Sequence, residues 1–435
     1  MQDSPEAHAP CVKRRRFIAL ALVVVLVALG AASASSAKQQ PAGPPDTYVT
    51  NWDAVGTQAF SAAALTAAEG HVIFAYVAIA VYDSVMAIEG GYDPFAVDVD
   101  APEDTSAEAA VAAAARRVLV HYLPAQEGTI IDPAYTASLA TIPNGQAKTN
   151  GVTVGTAVAD LLIAQRSDDG FRAPVTYTPP SPPIPGVWLP TAMTPPIGTY
   201  LGLMRPFSLD SADQFRPGGP PALDSKKWAE EYNEVKEIGS STSTTRTAAQ
   251  TLAARFWAEA PVQQARGSFR KLVADHDLDV VDASRFMAMV SVTYADGLIA
   301  CFDAKYHYKL WRPITAIRAG ETDGNDATVG DPTWSTLLAG TPNHPEYPSA
   351  HSCITPTAGL VIARFLGTPE IDFTIPSLTG LGDRNYARAS DLAYDVGNAR
   401  IWGGIHYRSA VEDGIKIAKK TADQVLAHHF KPSND

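Results

Sequence analysis

The sequence predicts an all-α fold in which two four-helix-bundle-like halves are joined by a long proline-rich strap. Three observations carry this expectation. Apolar residues recur at spacings of three and four over most of the chain, with much Ala and Leu among them. The period-two alternation that marks strands is scarce. Between an early and a late set of helical patterns stands a tract with 13 prolines from Pro174 to Pro221, which fits neither a helix nor an inner strand.

Taken in order, residues 1–34 read as an export signal. Arg14-Arg15-Arg16-Phe17-Ile18 resembles a twin-arginine signal, an apolar run follows to about Gly30, and Ala32-Ser33-Ala34 supplies small residues for cleavage. The apolar run is short for a membrane span, so an exported chain, periplasmic or extracellular, with no stable membrane span after cleavage is expected. Residues 45–170 form the N-terminal bundle, with helical spacing over 55–89, 105–123 and 147–166. Residues 171–223 are the connection. Trp188, Tyr200, Met204 and Phe207 lie in it, so it is expected to pack across the helices, over the site, rather than hang free. Residues 224–430 form the C-terminal bundle, with helical spacing over 224–238, 245–258, 282–302, 305–319, 350–366, 384–402 and 410–430. Pro356 predicts a kink or an early stop in the helix after His351.

Composition narrows the function classes. At 435 residues, 46% hydrophobic and 18% charged, the chain can bury a sizeable core. Loss of residues 1–34 removes four basic and two acidic residues, leaving 30 basic against 44 acidic and a net charge of −14. So acidic a chain is a poor binder of nucleic acid or anionic membrane. A pocket holding several cations would be a positive well against that background.

The last third contains such a set. It comprises Lys305-Tyr306-His307-Tyr308-Lys309-Leu310-Trp311-Arg312-Pro313, then Pro348-Ser349-Ala350-His351, then Arg400-Ile401-Trp402-Gly403-Gly404-Ile405-His406. Lys305 and Arg312 are seven apart, which on one helix puts both charges on one face. Ser349 is expected to cap the following helix, whose first-turn N–H groups, that of Ala350 included, point at anything in front of them, with His351 beside it. Gly403-Gly404 permits a turn that folds His406 back toward Arg400. Three cations, a hydroxyl and two imidazoles are what holding a tetrahedral oxyanion and doing acid–base or nucleophilic chemistry on it requires.

This order resembles the signature of the superfamily of vanadium-dependent haloperoxidases and type 2 phosphatidate phosphatases: Lys, six residues, Arg-Pro; then Pro-Ser-Gly-His; then Ser-Arg, five residues, His. Ala350 replaces the Gly and Ala399 replaces the Ser. Phe256-Trp257, Tyr294, Asp296, Cys301, Asp303, Trp311 and Gly403-Gly404-Ile405-His406-Tyr407-Arg408 extend the likeness toward the bacterial and plant haloperoxidase-like branch, over roughly residues 170 to 430.

The resemblance implies two readings of one site. As a haloperoxidase, the chain would bind vanadate, with His406 as the single protein ligand to the metal. Lys305, Arg312, Ser349, Ala350 and Arg400 would hold its oxygens, His351 would move protons and Lys305 would polarise peroxide. Hydrogen peroxide, halide and a small organic acceptor would be the partners. As an acid phosphatase it would need no cofactor, His406 would be the nucleophile toward a phosphate ester and His351 would protonate the leaving alcohol. His344, seven residues before His351, resembles the position of an aromatic or His near the halide, the His version going with bromoperoxidases. A homodimer is a possible assembly. The superfamily's Asp four residues after the last His is here Ala410, which leaves Glu412, Asp413, Asp296 or Asp303 as candidates to orient His406. Cys301 and Cys353 flank the site in sequence, as a disulfide or as two buried thiols.

Overall fold

The computed structural model describes residues 47–433, so the export signal expected over 1–34 lies outside the described residues. Among the described residues are thirteen α-helices and one two-stranded hairpin.

The apolar run expected as one helix over 55–89 is two. Helix α1 (Tyr48–Ala63) stops where Ala64 takes a left-handed backbone with φ 51. Thr66 then opens α2 (Ala67–Glu89), its hydroxyl accepting the Glu69 N–H while the Glu69 carboxylate accepts the Thr66 N–H. Helix α3 (Ala107–Tyr122) is so rich in Ala because α5 (Gln146–Gln165) lies close against it. A Cβ on Gly155 would stand 2.2 Å from the Ala110 carbonyl oxygen. A short α4 (Asp132–Ala140), which the spacing did not announce, bridges the two.

The C-terminal set comprises α6 (Lys226–Ile238), α7 (Ala248–Phe256), α8 (Pro261–Asp275), α9 (Val280–Tyr308), α10 (Pro313–Ala319), α11 (Ala350–Leu366), α12 (Ala389–Trp402) and α13 (Arg408–His428). Residues 384–388, expected as helix, instead form β2 (Arg384–Arg388), antiparallel to β1 (Glu370–Ile375) with Phe373 opposite Tyr386. Helix α11 neither stops at Pro356 nor ends early. It runs on to Leu366, packed between α9 and α13.

Helices α2 and α9 are long and apolar enough to cross a membrane. However, 89% and 94% of their most apolar windows are buried inside the protein, as befits core helices. They lie against each other, and the main hydrophobic core draws Ile79 and Tyr82 from α2, Phe286 and Ile299 from α9, and Val361 from α11.

Residues 171–225 form the strap, with one 3-10 turn at Leu201–Leu203. It is tied along its length. Trp188 is wholly buried and its N–H donates to the Lys309 carbonyl, while the Trp311 N–H donates to the Gly186 carbonyl. Asp296 in α9 accepts the N–H groups of Phe207, Ser208 and Leu209. The Ile197 N–H donates to the Asn343 carbonyl. The strap thus braces the end of α9 and the loop leading into α11, two of the segments from which the site is built.

Candidate active site

Lys305 and Arg312 come together, but not by sharing a helical face. Lys309 adopts a left-handed backbone with φ 53 and ends α9, so Arg312 stands outside it as the N-cap residue of α10. The loop of residues 342–349 gathers both. Lys305 Nζ donates to the carbonyls of Pro345 (2.9 Å), Glu346 (2.9 Å) and Pro348. Arg312 Nε donates to the His344 carbonyl at 2.9 Å, and its Nη1 reaches the Ile405 carbonyl at 3.0 Å and His406 Nε2 at 3.2 Å. The expectation of a Lys305 open to an oxyanion is corrected to this extent. Its three N–H bonds are spent on the loop, so its charge reaches the site while its protons clamp the backbone.

The N-terminus of α11 is the second element. Ser349 occupies the cap position without capping. Its hydroxyl makes no bond to the helix and its buried Oγ has no partner, while its N–H donates to the Ala410 carbonyl at 2.9 Å. Ala350 begins the first turn, whose N–H groups have no partner within the helix. His351 follows, partly buried.

The third element is the turn after α12. Gly404, with φ 79, packs so closely on the Gly239 backbone that a Cβ would lie 2.4 Å from the Gly239 oxygen, and the chain reverses there to bury His406. Arg400 Nη1 donates to the Trp257 carbonyl at 2.5 Å, and its buried Nε has no partner.

What orients His406 is Glu346, which spacing did not single out. Its Oε1 lies 2.8 Å from His406 Nδ1 and accepts the Tyr407 N–H at 2.9 Å. The candidates named from sequence are engaged elsewhere. Asp296 caps the strap, Asp303 pairs with Arg216, Asp413 accepts the Tyr347 hydroxyl, and Glu412 is exposed. A clue stood in Pro345-Glu346-Tyr347-Pro348, where an acid is set in a rigid segment directly before Ser349.

Electrostatically, the cluster is a surplus of buried positive charge. Burial pulls Lys305 down to about 8, Arg312 to about 10 and Arg400 to about 9. His406 and His351 are held well below the usual histidine range, first by burial. Arg312 comes next for His406, and Arg400 for His351. Burial also pushes Glu346 up, to about 8, against the pull of Arg312. A neutral His406 that turns Nδ1 to Glu346 leaves its Nε2 lone pair directed into the cationic cluster.

His344 is buried, its ring accepting from Arg312 Nη2 (3.0 Å to Nδ1) and packing against Phe302 with centroids 5.1 Å apart. Cys301 and Cys353 are buried free cysteines in contact, with sulfurs 2.6 Å apart.

The donor set fits a tetrahedral oxyanion such as vanadate. Ser349 Oγ and Arg400 Nε are buried and unpartnered, Lys305 and Arg312 lie in the same cluster, and His406 Nε2 points its lone pair toward Arg312, where an oxyanion could take it as a ligand. Among the described residues no group of three or more His, Cys, Asp or Glu side chains could hold a bare cation. A metal here would therefore be held mainly through its own oxygens.

Comparison with known proteins agrees. Residues 285–435 match the family described as the VCPO second helical-bundle domain. Over that stretch the chain resembles the vanadium haloperoxidases. Among curated relatives of the superfamily, vanadium chloroperoxidase of Curvularia inaequalis is 30% identical over 89 residues, 18% of this chain and 14% of that protein's length. The fold is shared more widely. The structure of the first bacterial vanadium-dependent iodoperoxidase superposes with a TM-score of 0.78 at 24% identity, covering 92% of this chain and all of that one. The holo form of a bacterial vanadium-dependent chloroperoxidase gives 0.69 at 16% identity over 88% and 97% of the two chains.

Proposed function

We propose that the chain is a vanadate-dependent peroxidase that uses hydrogen peroxide to oxidise a halide, bromide or iodide ahead of chloride, and so halogenates small organic acceptors. The observation that carries this reading is His406 held by Glu346 at 2.8 Å, within a cluster of three buried cations. That arrangement suits a metal oxyanion with a single protein ligand. His406 Nε2 would be the ligand, and Ser349 Oγ, Arg400 Nε and the first-turn N–H groups at Ala350 would bond its oxygens. Arg312 and Lys305 would supply the field. Bound vanadate supplies a Lewis acid that makes peroxide reactive toward halide.

The other steps belong to the protein. His351 stays neutral in its desolvated setting beside Arg400, so it can take a proton from incoming peroxide and return it to the departing water. In balance, peroxide, halide and one proton give hypohalous acid and water. The preference for the more easily oxidised halides rests on Arg312, which shares its N–H bonds among His344, His406 and two carbonyls and so withdraws less electron density from an oxyanion. The iodoperoxidase fold neighbour is consistent with it. The twin-arginine-like Arg14-Arg15-Arg16-Phe17-Ile18 supports action outside the cytoplasm.

Titrating vanadate into the vanadate-free chain tests the reading. Peroxide-dependent bromination or iodination should rise to saturation, and phosphate should suppress it by competing for the cluster. Strong aryl-phosphate hydrolysis inhibited by vanadate, with no vanadate-stimulated halogenation, would overturn it in favour of the phosphatase reading.

A further inference from the structure

Beside the cationic cluster lies a small cavity lined by His71 of α2, Trp257 after α7, Phe269 of α8, Tyr294 of α9, His351 of α11 and Phe373 of β1. About 20 Å³ is open to the centre of a water-sized sphere. That is room for about one water or one monatomic ion and too little for an organic ring.

The walls are mostly aromatic and aliphatic, with Gln264, Ser268 and Thr355 among them, and His71 Nε2 is buried there without a hydrogen-bond partner. Buried polar atoms left unpaired are uncommon and call for an occupant. The surrounding charge selects its sign. Arg266, whose field reaches His71, is neutralised by Asp53, with Nε to Oδ1 at 2.7 Å. Arg400, whose field reaches His351, has no carboxylate partner among the described residues. Both imidazoles are kept neutral, His71 pulled down to about 3 by burial and then by Arg266, so each can turn one N–H, without a charge, to an occupant. An unpaired imidazole nitrogen beside an uncompensated arginine makes a setting that disfavours cations and suits a polarisable anion. His344, which the family resemblance would put near the halide, has both ring nitrogens within reach of Arg312, and Nδ1 also lies 3.1 Å from the Pro345 carbonyl.

We propose that this cavity is the halide site, with His71 Nε2–H donating to a bromide or iodide held beside His351. The proposal rests on the peroxidase reading and names a residue of the N-terminal bundle as part of it. The halide would then meet activated peroxide at the His351 side of the cluster.

Diffraction at the bromine absorption edge from crystals of the vanadate-free chain soaked in sodium bromide should show an anomalous peak in this cavity. Peaks only elsewhere, beside His344 for instance, would overturn the assignment. His71→Phe should abolish the peak and raise the Michaelis constant for bromide by roughly tenfold or more. Phosphate affinity by calorimetry should stay unchanged, and His71→Gln, which keeps a donor, should restore most of the loss. An unchanged Michaelis constant in His71→Phe counts against the site. Should that variant fail to fold, the anomalous map of the unsubstituted chain decides. A bromide peak at His71 in a chain without peroxidase activity keeps the site and retires the peroxidase reading. Peroxidase activity with no bromide in the cavity does the reverse.

Discussion

Glu346 and His406 form a buried pair, Oε1 to Nδ1 at 2.8 Å, in which the carboxylate also takes the N–H of Tyr407. One side chain thus sets both the tilt of the imidazole and the backbone that carries it. Glu346→Gln should lower vanadate affinity by about 10–100-fold, the usual range for loss of a residue that orients a metal-binding His. Calorimetric titration checks this, with circular dichroism showing the fold intact. Undiminished affinity would mean that another group holds His406.

Arg400 is buried, with Nη1 bonded to the Trp257 carbonyl and Nε unpaired. Holding an uncompensated cation in the interior costs stability that only a bound anion recovers. Arg400→Met should therefore stabilise the vanadate-free chain by about 1–4 kcal/mol in urea denaturation while removing most oxyanion affinity. Loss of both stability and affinity would show that Arg400 is structural.

Gly404 sits at φ 79 with the Gly239 oxygen where a Cβ would go. Gly404→Ala should cost about 1–3 kcal/mol in backbone strain alone and, by pushing His406 out of place, weaken vanadate binding. Gly367, at φ 68 with nothing within 4 Å of its Cβ position, is the control. Gly367→Ala should lower the melting temperature and leave vanadate affinity untouched.

Much of this site is legible in the sequence because its residues are chemically marked. Lys305, Arg312, Ser349, His351, Arg400 and His406 all lie in or beside the cluster, and the all-α architecture follows from helical spacing. What spacing could not supply is how they meet. Seven residues separate Lys305 from Arg312 whether or not the helix continues, and the left-handed turn at Lys309 that ends it carries no glycine to give it away. Glu346 sits in a loop between prolines, where no periodicity assigns a side chain to the core. Helix α8 was passed over although Pro261 marks its first turn, because Arg266, Arg270 and Lys271 mask its apolar face. Strand β2 falls inside a stretch with helical spacing, and β1 carries no strand signal, because the strands are only five and six residues long.

Asp83, wholly buried in α2, accepts N–H bonds from Phe95, Ala96 and Val97 at 2.6, 3.0 and 2.9 Å. Burial outweighs these bonds and pushes its carboxyl up to about 7. The folded chain then keeps a proton that the unfolded chain loses at ordinary carboxylate pH. The contribution to stability is full below about pH 4 and is lost as pH rises to about 7, at up to about 1.4 kcal/mol per pH unit. Asp83→Asn should be less stable overall but should lose this slope, as urea denaturation at about pH 5 and about pH 7 would show. Equal pH dependence in both proteins would count against a raised Asp83.

Helix α9 touches α2 on one side and α11 and α13 on another, and Asp296 within it fastens the strap. The consequence is cooperativity. Neither set of helices can melt without baring the helix that the other needs, so residues 47–433 should unfold in a single calorimetric transition. A protease that nicks the strap should leave two fragments that stay associated until that same temperature, with Lys305 still bonded to the loop of Pro345 and Glu346.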